Sequence, residues 1–524
     1  MRILLEIGDK SLPIKSHKMS LLALEEGQID TFQVLMMAIS SRSTSGLSMS
    51  RYTNNDQVKS RILWLQRKLS RRLTLVILVY LSFFFFPHKC CLFAPFQVEK
   101  MLQRFKLDGK TMLKMAEIFQ REMELGLADK PSSLLMENTY VPELPNGTEE
   151  GKYLALDLGG TNFRVILVDL EKGRIVNERV KHYHISDELR LNCGIKLFDF
   201  LAECISEFVI ENGLADRVLP MGFTFSFPMH QHALDSGILK VWTKSFACPG
   251  VEGKDAVKLL NEAIHRRGDN HVELICVLND TTGTLMQGAM LDKDTAIGLI
   301  LGTGTNACYL ERAERVQHWE VERHGEKQVV IDIEWGAFGD NGCIDFVKTE
   351  FDRTKKIGGK FMGELVQVIL CSLTREGHLF NGIPSDKLLE HGHFRTSLCP
   401  VLKSEDSING TKGNTEKILD DLGLDYDDDD VKIVQYICHL VSLRAAQFVA
   451  ICVSQILIRM SKPQVTVAVD GSLFKFHPRL RIWMEKYTKL LAPSHPFKIV
   501  LVQDGSGKGA ALVSAIAKRI TEKY

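Results

Sequence analysis

The chain has 524 residues, 45% of them hydrophobic, which is enough to bury the cores of two lobes. Lysine plus arginine equals aspartate plus glutamate at 65 each, so no basic field draws nucleic acid and no acidic tail is implied; the expected partner is a small molecule. The twelve cysteines contain no Cys-x-x-Cys pair, and Cys276, Cys308 and Cys452 sit in apolar runs, which predicts buried, reduced thiols in a cytoplasmic protein.

Residues 1–97 read as an atypical extension: mixed polar segments, a Ser-rich patch from Ile39 to Ser50, then an apolar run from Leu73 to Phe86. That run is 14 residues long, whereas crossing a bilayer takes roughly 20. Arg61, Arg67, Lys68, Arg71 and Arg72 precede it, so a span would carry everything after it out of the cytosol. Three readings stay open: a membrane tether through 73–86, which would allow association with the mitochondrial outer membrane, a buried segment, or translated non-coding sequence.

From Val98 the pattern becomes helical, with Met101, Leu102, Phe105, Met112, Met115, Ile118 and Phe119 recurring at three and four residues. Strands are expected at Tyr153 to Asp157, Phe163 to Leu170, Leu219 to Phe223 and Val272 to Leu278, with a helix near Lys196 to Glu211 between them. This alternation is α/β organisation. The acidic run Asp425 to Asp430 reads as a solvated loop, because adjacent carboxylates lack the spacing of a calcium loop.

A loose repeat joins an apolar strand to a glycine turn ending in Thr-Asn and then to a second strand. It occurs at Leu154-Ala-Leu-Asp-Leu-Gly-Gly-Thr-Asn-Phe-Arg-Val165 and at Ile297-Gly-Leu-Ile-Leu-Gly-Thr-Gly-Thr-Asn-Ala-Cys-Tyr309. Such turns let backbone N–H groups approach phosphate oxygens, with a threonine hydroxyl as a further donor. Either copy alone reads first as an ordinary hairpin turn, since glycine pairs are common turn formers; two copies in one chain shift the reading toward phosphate. Val465-Thr-Val-Ala-Val-Asp-Gly-Ser472 adds a third strand and polar turn. Gly505-Ser-Gly-Lys-Gly-Ala-Ala511 opens the last helix but lacks the spacing of a P-loop, so close helix packing beside a nucleotide is its expected role. Neither repeat completes Gly-x-Gly-x-x-Gly, which speaks against a dinucleotide fold.

Leu154 to Val165, Gly222-Phe-Thr-Phe-Ser-Phe-Pro228, Val241-Trp-Thr-Lys244, Leu278-Asn-Asp-Thr281 and Glu334-Trp-Gly-Ala-Phe-Gly-Asp-Asn-Gly342 stand in one order. In these blocks the chain, from Val98 to Tyr524, resembles the eukaryotic hexokinase and glucokinase family as one single-length catalytic unit. The resemblance implies a two-lobed actin-like ATPase (ribonuclease H-like) fold whose small and large lobes close over a cleft. It implies a helical lead-in at 98–142 belonging to the large lobe, a small lobe at 143–280, a large lobe at 281–502, and a C-terminal helix at 503–524 returning to the small lobe. The implied reaction is phosphorylation of the 6-hydroxyl of glucose or a related hexose by ATP with Mg2+, the first step of glycolysis, with a monomer favoured.

Asp280 follows an apolar strand at the carboxyl end where α/β sheets present catalytic groups, and is the expected general base. Lys244 would stabilise charge at the transferring phosphoryl group. Family correspondence assigns the sugar to Ser226, Thr243, Asn279, Asn306 and Glu334. On the nucleotide side it implies Asp157, Gly159, Gly160, Thr161, Asn162, Thr303, Gly359, Lys360 and Ser472, and no dedicated protein cage for the metal, because Mg2+ keeps waters.

One departure bears on activity. After Glu350-Phe-Asp-Arg353 the family carries a longer segment, with an Asn-Pro-Gly turn and a Gln and a Glu that contact the sugar, before the stretch matching Ile357-Gly-Gly-Lys360. Here only Thr354, Lys355 and Lys356 intervene. A catalytically weak, hexokinase-like sugar sensor or binding protein is therefore the alternative to an active enzyme.

Overall fold

The computed structural model describes residues 96–159, 162–268, 271–352, 359–390, 392–394, 396 and 413–522, all inside the unit His88–Tyr524. The apolar run at 73–86 and the shortened segment at 353–358 lie outside the described residues.

Helix α1 (Gly109–Leu127) starts where the Asp108 side chain accepts from the Thr111 N–H, and buries Met112, Met115, Phe119 and Met123 on one stripe. The chain then forms the short strand β1 (Glu137–Asn138) and climbs through β2 (Gly151–Leu158), β3 (Asn162–Glu171) and β4 (Arg174–His184). After α2 (Gly194–Glu211) come β5 (Leu219–Phe225), the hairpin β6 (Met229–Ala233) and β7 (Ser236–Leu239), α3 (Ala256–Arg267) and β8 (Val272–Leu278).

These strands make a sheet of order β4-β3-β2-β5-β8, antiparallel across β2, β3 and β4 and parallel across β2, β5 and β8. Its core is continuous from Leu197, Phe198 and Leu201 on α2 to Phe223 and Phe225 on β5 and Leu260 and Ala263 on α3. Edge strand β4 points charged and polar side chains outward, which discourages edge-to-edge pairing.

A second lobe follows α4 (Asp280–Leu291). Strands β9 (Thr295–Leu301), β10 (Thr305–Arg312) and β11 (Gln328–Asp332) form an antiparallel meander, and β12 (Val465–Asp470) and β13 (Phe497–Leu501) join it in parallel. The sheet order is β1-β11-β10-β9-β12-β13, so the lead-in strand β1 closes one edge of this second sheet. Helix α5 (Gly359–Arg375) packs on α6 (Asp428–Met460), which itself lies against β10 and carries α7 (Leu480–Leu491), and α8 (Gly505–Thr521) returns to lie on β2 and β5 and against α4. The repeated strand and glycine turn of the sequence thus sits once in each sheet, at β2–β3 and at β9–β10.

The acidic run departs from the sequence expectation. Instead of a loop, Asp427 caps α6, its side chain accepting from the N–H groups of Asp429 and Asp430, and Asp428, Asp429 and Asp430 form the first turn. Carboxylates suit that position because the first-turn N–H groups carry uncompensated positive dipole. Helix α6 is apolar and long enough to cross a membrane, but its most apolar window is 78% buried, as expected of a lobe's central helix. Cys276, Cys308 and Cys452 are buried as expected, and burial pushes the Cys276 thiol up to about 12.

Candidate active site

The sugar-side candidates are assembled from three strand ends. Asn279 is the N-cap of α4: its Oδ1 accepts from the N–H of Thr281 (3.0 Å) and its Nδ2 donates to Glu334 Oε1 (3.2 Å). Asn306, one residue into β10, donates from Nδ2 to the same Glu334 oxygen at 3.1 Å and to Asp332 Oδ1 at 2.8 Å. Glu334 itself sits at φ 55°, ψ 48°, a left-handed conformation unusual for a residue with a side chain, just beyond β11. The indole N–H of its neighbour Trp335 donates to Thr305 Oγ1 (3.0 Å), which pins the turn to β10.

Burial dominates the electrostatics here. Desolvation raises the Glu334 carboxyl to about 7, with Asp280 and Glu137 adding to the rise. Asp332 is pushed well above the usual carboxylate range, first by burial and then by the adjacent Glu334, while Thr281 donates to it at 3.0 Å. Burial and the neighbouring carboxyl thus both oppose ionising Asp332 and Glu334 together.

Asp280 opens α4, and Lys244 Nζ lies 3.7 Å from its Oδ2. Lys244 and Ser245 both have positive φ, 54° and 68°, and the turn that carries them is anchored by Trp242. That ring stacks on Phe246, meets Phe227 edge-on at 4.8 Å, and donates its N–H to the carbonyl of Cys248. Thr243 accepts from the N–H of Phe246 within the same turn. Ser226, at the end of β5, is buried, and its hydroxyl oxygen lies 3.8 Å from where a Cβ on Gly159 would stand.

The nucleotide-side candidates gather round the start of α8. Asp157, the penultimate residue of β2, accepts from Ser506 Oγ (2.8 Å) and is paired with Arg164, which also reaches Asp504 at 2.8 Å. From the other sheet, Asp470 accepts from the N–H of Gly505 at 3.1 Å. Gly471, next to Ser472, has φ 118°, and a Cβ there would stand 2.3 Å from the carbonyl of Leu301, so the turns after β9 and β12 are in direct contact. Thr303 tops the first of those turns, where the Gly302 N–H donates to the carbonyl of Gly304. Gly160 and Thr161 lie outside the described residues; for Asn162, Gly359 and Lys360 only the backbone is described, in β3 and at the start of α5.

Two family models, both described as Hexokinase, match residues 97–290 and 296–516 in succession. The hexokinase of Brugia malayi is 38% identical over 452 residues, covering 82% of this chain and 78% of that protein. The chain belongs to the hexokinase family. Human hexokinase-1 is also 38% identical over 454 residues, but this chain spans only 49% of its length, about half of that relative. Among solved structures, the hexokinase from Schistosoma mansoni complexed with glucose aligns with a TM-score of 0.74 at 36% identity, covering 80% of this chain and 98% of that one. A second crystal structure of a hexokinase aligns at 0.67 and 29% identity over 80% of this chain and 98% of its own. The fold is accordingly the two-lobed actin-like ATPase fold of hexokinases.

Several residues of the hexokinase site region escaped the sequence reading. Asp332 ends β11 two residues before the candidate Glu334, but Glu334 lies past the strand in a left-handed turn, so strand alternation did not announce that the two carboxyls meet. Arg164 stood inside a quoted motif without a role, and Asp470, Asp504 and Ser506 become partners only through contacts between distant segments.

Proposed function

We propose that this chain is an ATP-dependent hexokinase that phosphorylates the 6-hydroxyl of glucose or a related hexose, working in the cytosol as a monomer. The observation that carries the proposal is the Asn279–Glu334–Asn306 knot set beside the Asp280–Lys244 pair. Two amides and a carboxylate offer donors and acceptors at fixed angles, as a polyhydroxylated ligand requires, and Ser226 and Thr243 extend that set. Asp280, at the end of β8 and next to Asn279, would orient the attacking hydroxyl and take its proton, with Lys244 offsetting the charge that develops on the phosphoryl group.

Asp157, Gly159, Gly160, Thr161 and Asn162 would cradle the phosphates from the small lobe and Thr303 and Ser472 from the large lobe, with Gly359 and Lys360 as further nucleotide contacts. The donor set fits Mg2+: Asp157 is a carboxylate whose Oδ2 is engaged by Arg164 and Ser506 while its Oδ1, among the described residues, remains for a hard cation or its waters. Mg2+ arriving with ATP would supply charge neutralisation at the phosphates. Lobe closure would exclude the water that would otherwise compete for the phosphoryl group.

Purified protein with Mg-ATP and glucose, coupled to detection of glucose 6-phosphate, tests the proposal; steady turnover is expected. Nucleotide binding with no turnover on any hexose would instead favour the sugar-sensor reading, which the short Arg353–Ile357 connection motivates.

A further inference from the structure

The hairpin β6–β7 carries a cluster that the proposed phosphoryl transfer does not use. Alternation along β6 puts His230 and His232 on one face, while Gln231 between them turns inward and donates to the carbonyl of Val277 at 3.1 Å. The two imidazole rings meet edge-to-face at 4.6 Å. Both reach Glu320 in the connection between β10 and β11: His230 Nε2 lies 2.9 Å from Oε1, and His232 Nδ1 contacts Oε2. One ligand atom from each of the three residues lies within 4.8 Å of the others.

Behind this triad stands an independent orienting group. His230 Nδ1 is 2.8 Å from Oε2 of Glu137, whose side chain is only 7% exposed and whose other oxygen is paired with Lys240. A buried carboxylate holding the far nitrogen of a histidine fixes the tautomer that turns the Nε2 lone pair toward a metal, which is the usual outer shell of a histidine ligand. Glu320 is held too: its N–H donates to the Tyr140 hydroxyl at 3.2 Å, and the adjacent Trp319 packs edge-on against the Tyr140 ring.

We propose that His230, His232 and Glu320 form a site for one divalent transition-metal ion of the zinc class, with Glu137 as the positioning residue. Two imidazoles and one carboxylate suit Zn2+, Co2+ or Ni2+ and leave a fourth position to water. Mg2+, which prefers oxygen ligands, does not compete for it. The ion takes the place of the hydrogens now shared between Glu320 and the two rings, with Glu320 moving slightly away from each ring to admit it. The histidines belong to a hairpin bonded to β8 of the small lobe and Glu320 to the large lobe, so the bound ion ties the two lobes together at this point.

The test is titration of the full-length, chelator-stripped protein with Co2+, followed by visible d–d absorption and by competition with Zn2+. Saturable uptake of one ion per chain, displaced by Zn2+, is expected, and His230→Ala/His232→Ala should abolish it. His232→Ala alone, at a side chain 39% exposed, leaves the core undisturbed and should weaken uptake at least about tenfold. Glu137→Gln should keep the stoichiometry and weaken affinity about 10- to 100-fold, the range for outer-shell partners. No saturable uptake by the native chain, or uptake unchanged in His232→Ala and in the double variant, overturns the site and leaves a hydrogen-bonded cluster.

Discussion

Asp332 and Glu334 put two carboxyl groups in one buried pocket with Asn306 donating to both, and the pocket cannot ionise them both cheaply. In the unfolded chain they lose their protons near pH 4; in the folded chain Glu334 holds its proton to about 7 and Asp332 beyond the usual carboxylate range. The folded state therefore binds more protons between these limits, and stability falls as pH rises from about 4 to about 7. Asp332→Asn keeps the oxygen that accepts from Thr281 and Asn306 and can donate to Glu334. It should flatten that decline and raise stability at neutral pH by on the order of 2 kcal/mol. Melting temperatures measured across pH check this, and a profile parallel to that of the native chain would count against the shared-proton reading. Asp280 carries the second prediction at this scale: Asp280→Ala should lower turnover by about 100- to 10,000-fold, the range for a positioned general base, with nucleotide affinity retained. Near-native turnover would remove Asp280 from that role.

Helices α4 and α8 cross so closely that a Cβ on Gly509 would stand 2.2 Å from the Cα of Gly283. Each helix presents a candidate site residue at its start, Asp280 on α4 and Ser506 on α8, so their spacing also sets the distance between the proposed base and the proposed nucleotide turn. Gly509→Ala should push the helices apart, cost about 1–3 kcal/mol as an overpacked contact, and lower turnover together with stability. Urea melts paired with activity measurements decide it, and an unchanged melt would mean the crossing is looser than the geometry states. The glycines of Gly505 to Ala511 were legible as close-packing residues, because close approach leaves a mark in composition. The acidic run at α6 was not, because a row of aspartates looks the same in a solvated loop and in a first helical turn until its N–H partners are known.

Across the whole molecule, the two sheets meet the start of α8 through Asp157 of β2 and Asp470 of β12, and the candidate sugar residues come from the ends of β5, β8 and β11, the start of β10 and the turn at Thr243. The short connection between Arg353 and Ile357 leaves out a glutamate that the hexokinase pattern places on the sugar. A charged hydrogen bond of this kind is worth about 1.5–3 kcal/mol, so inserting a segment of family length should lower the KM for glucose by about 10- to 100-fold. An unchanged KM would show that the remaining sugar residues suffice.

By itself the sequence determined the family, the α/β alternation, the glycine turns and the Asn279-Asp280 pair, because each is written in neighbouring residues whose spacing is set by strand and turn geometry. Tertiary structure alone decided which carboxylates share a proton, that Arg164 is clamped between Asp157 and Asp504, and that two histidines of β6 face Glu320. The physical reason is separation along the chain: Arg164 and Asp504 are 340 residues apart, and His230 and Glu320 are 90 apart. Contacts of that kind leave no local pattern; they exist only once both sheets have formed and α8 has packed against them.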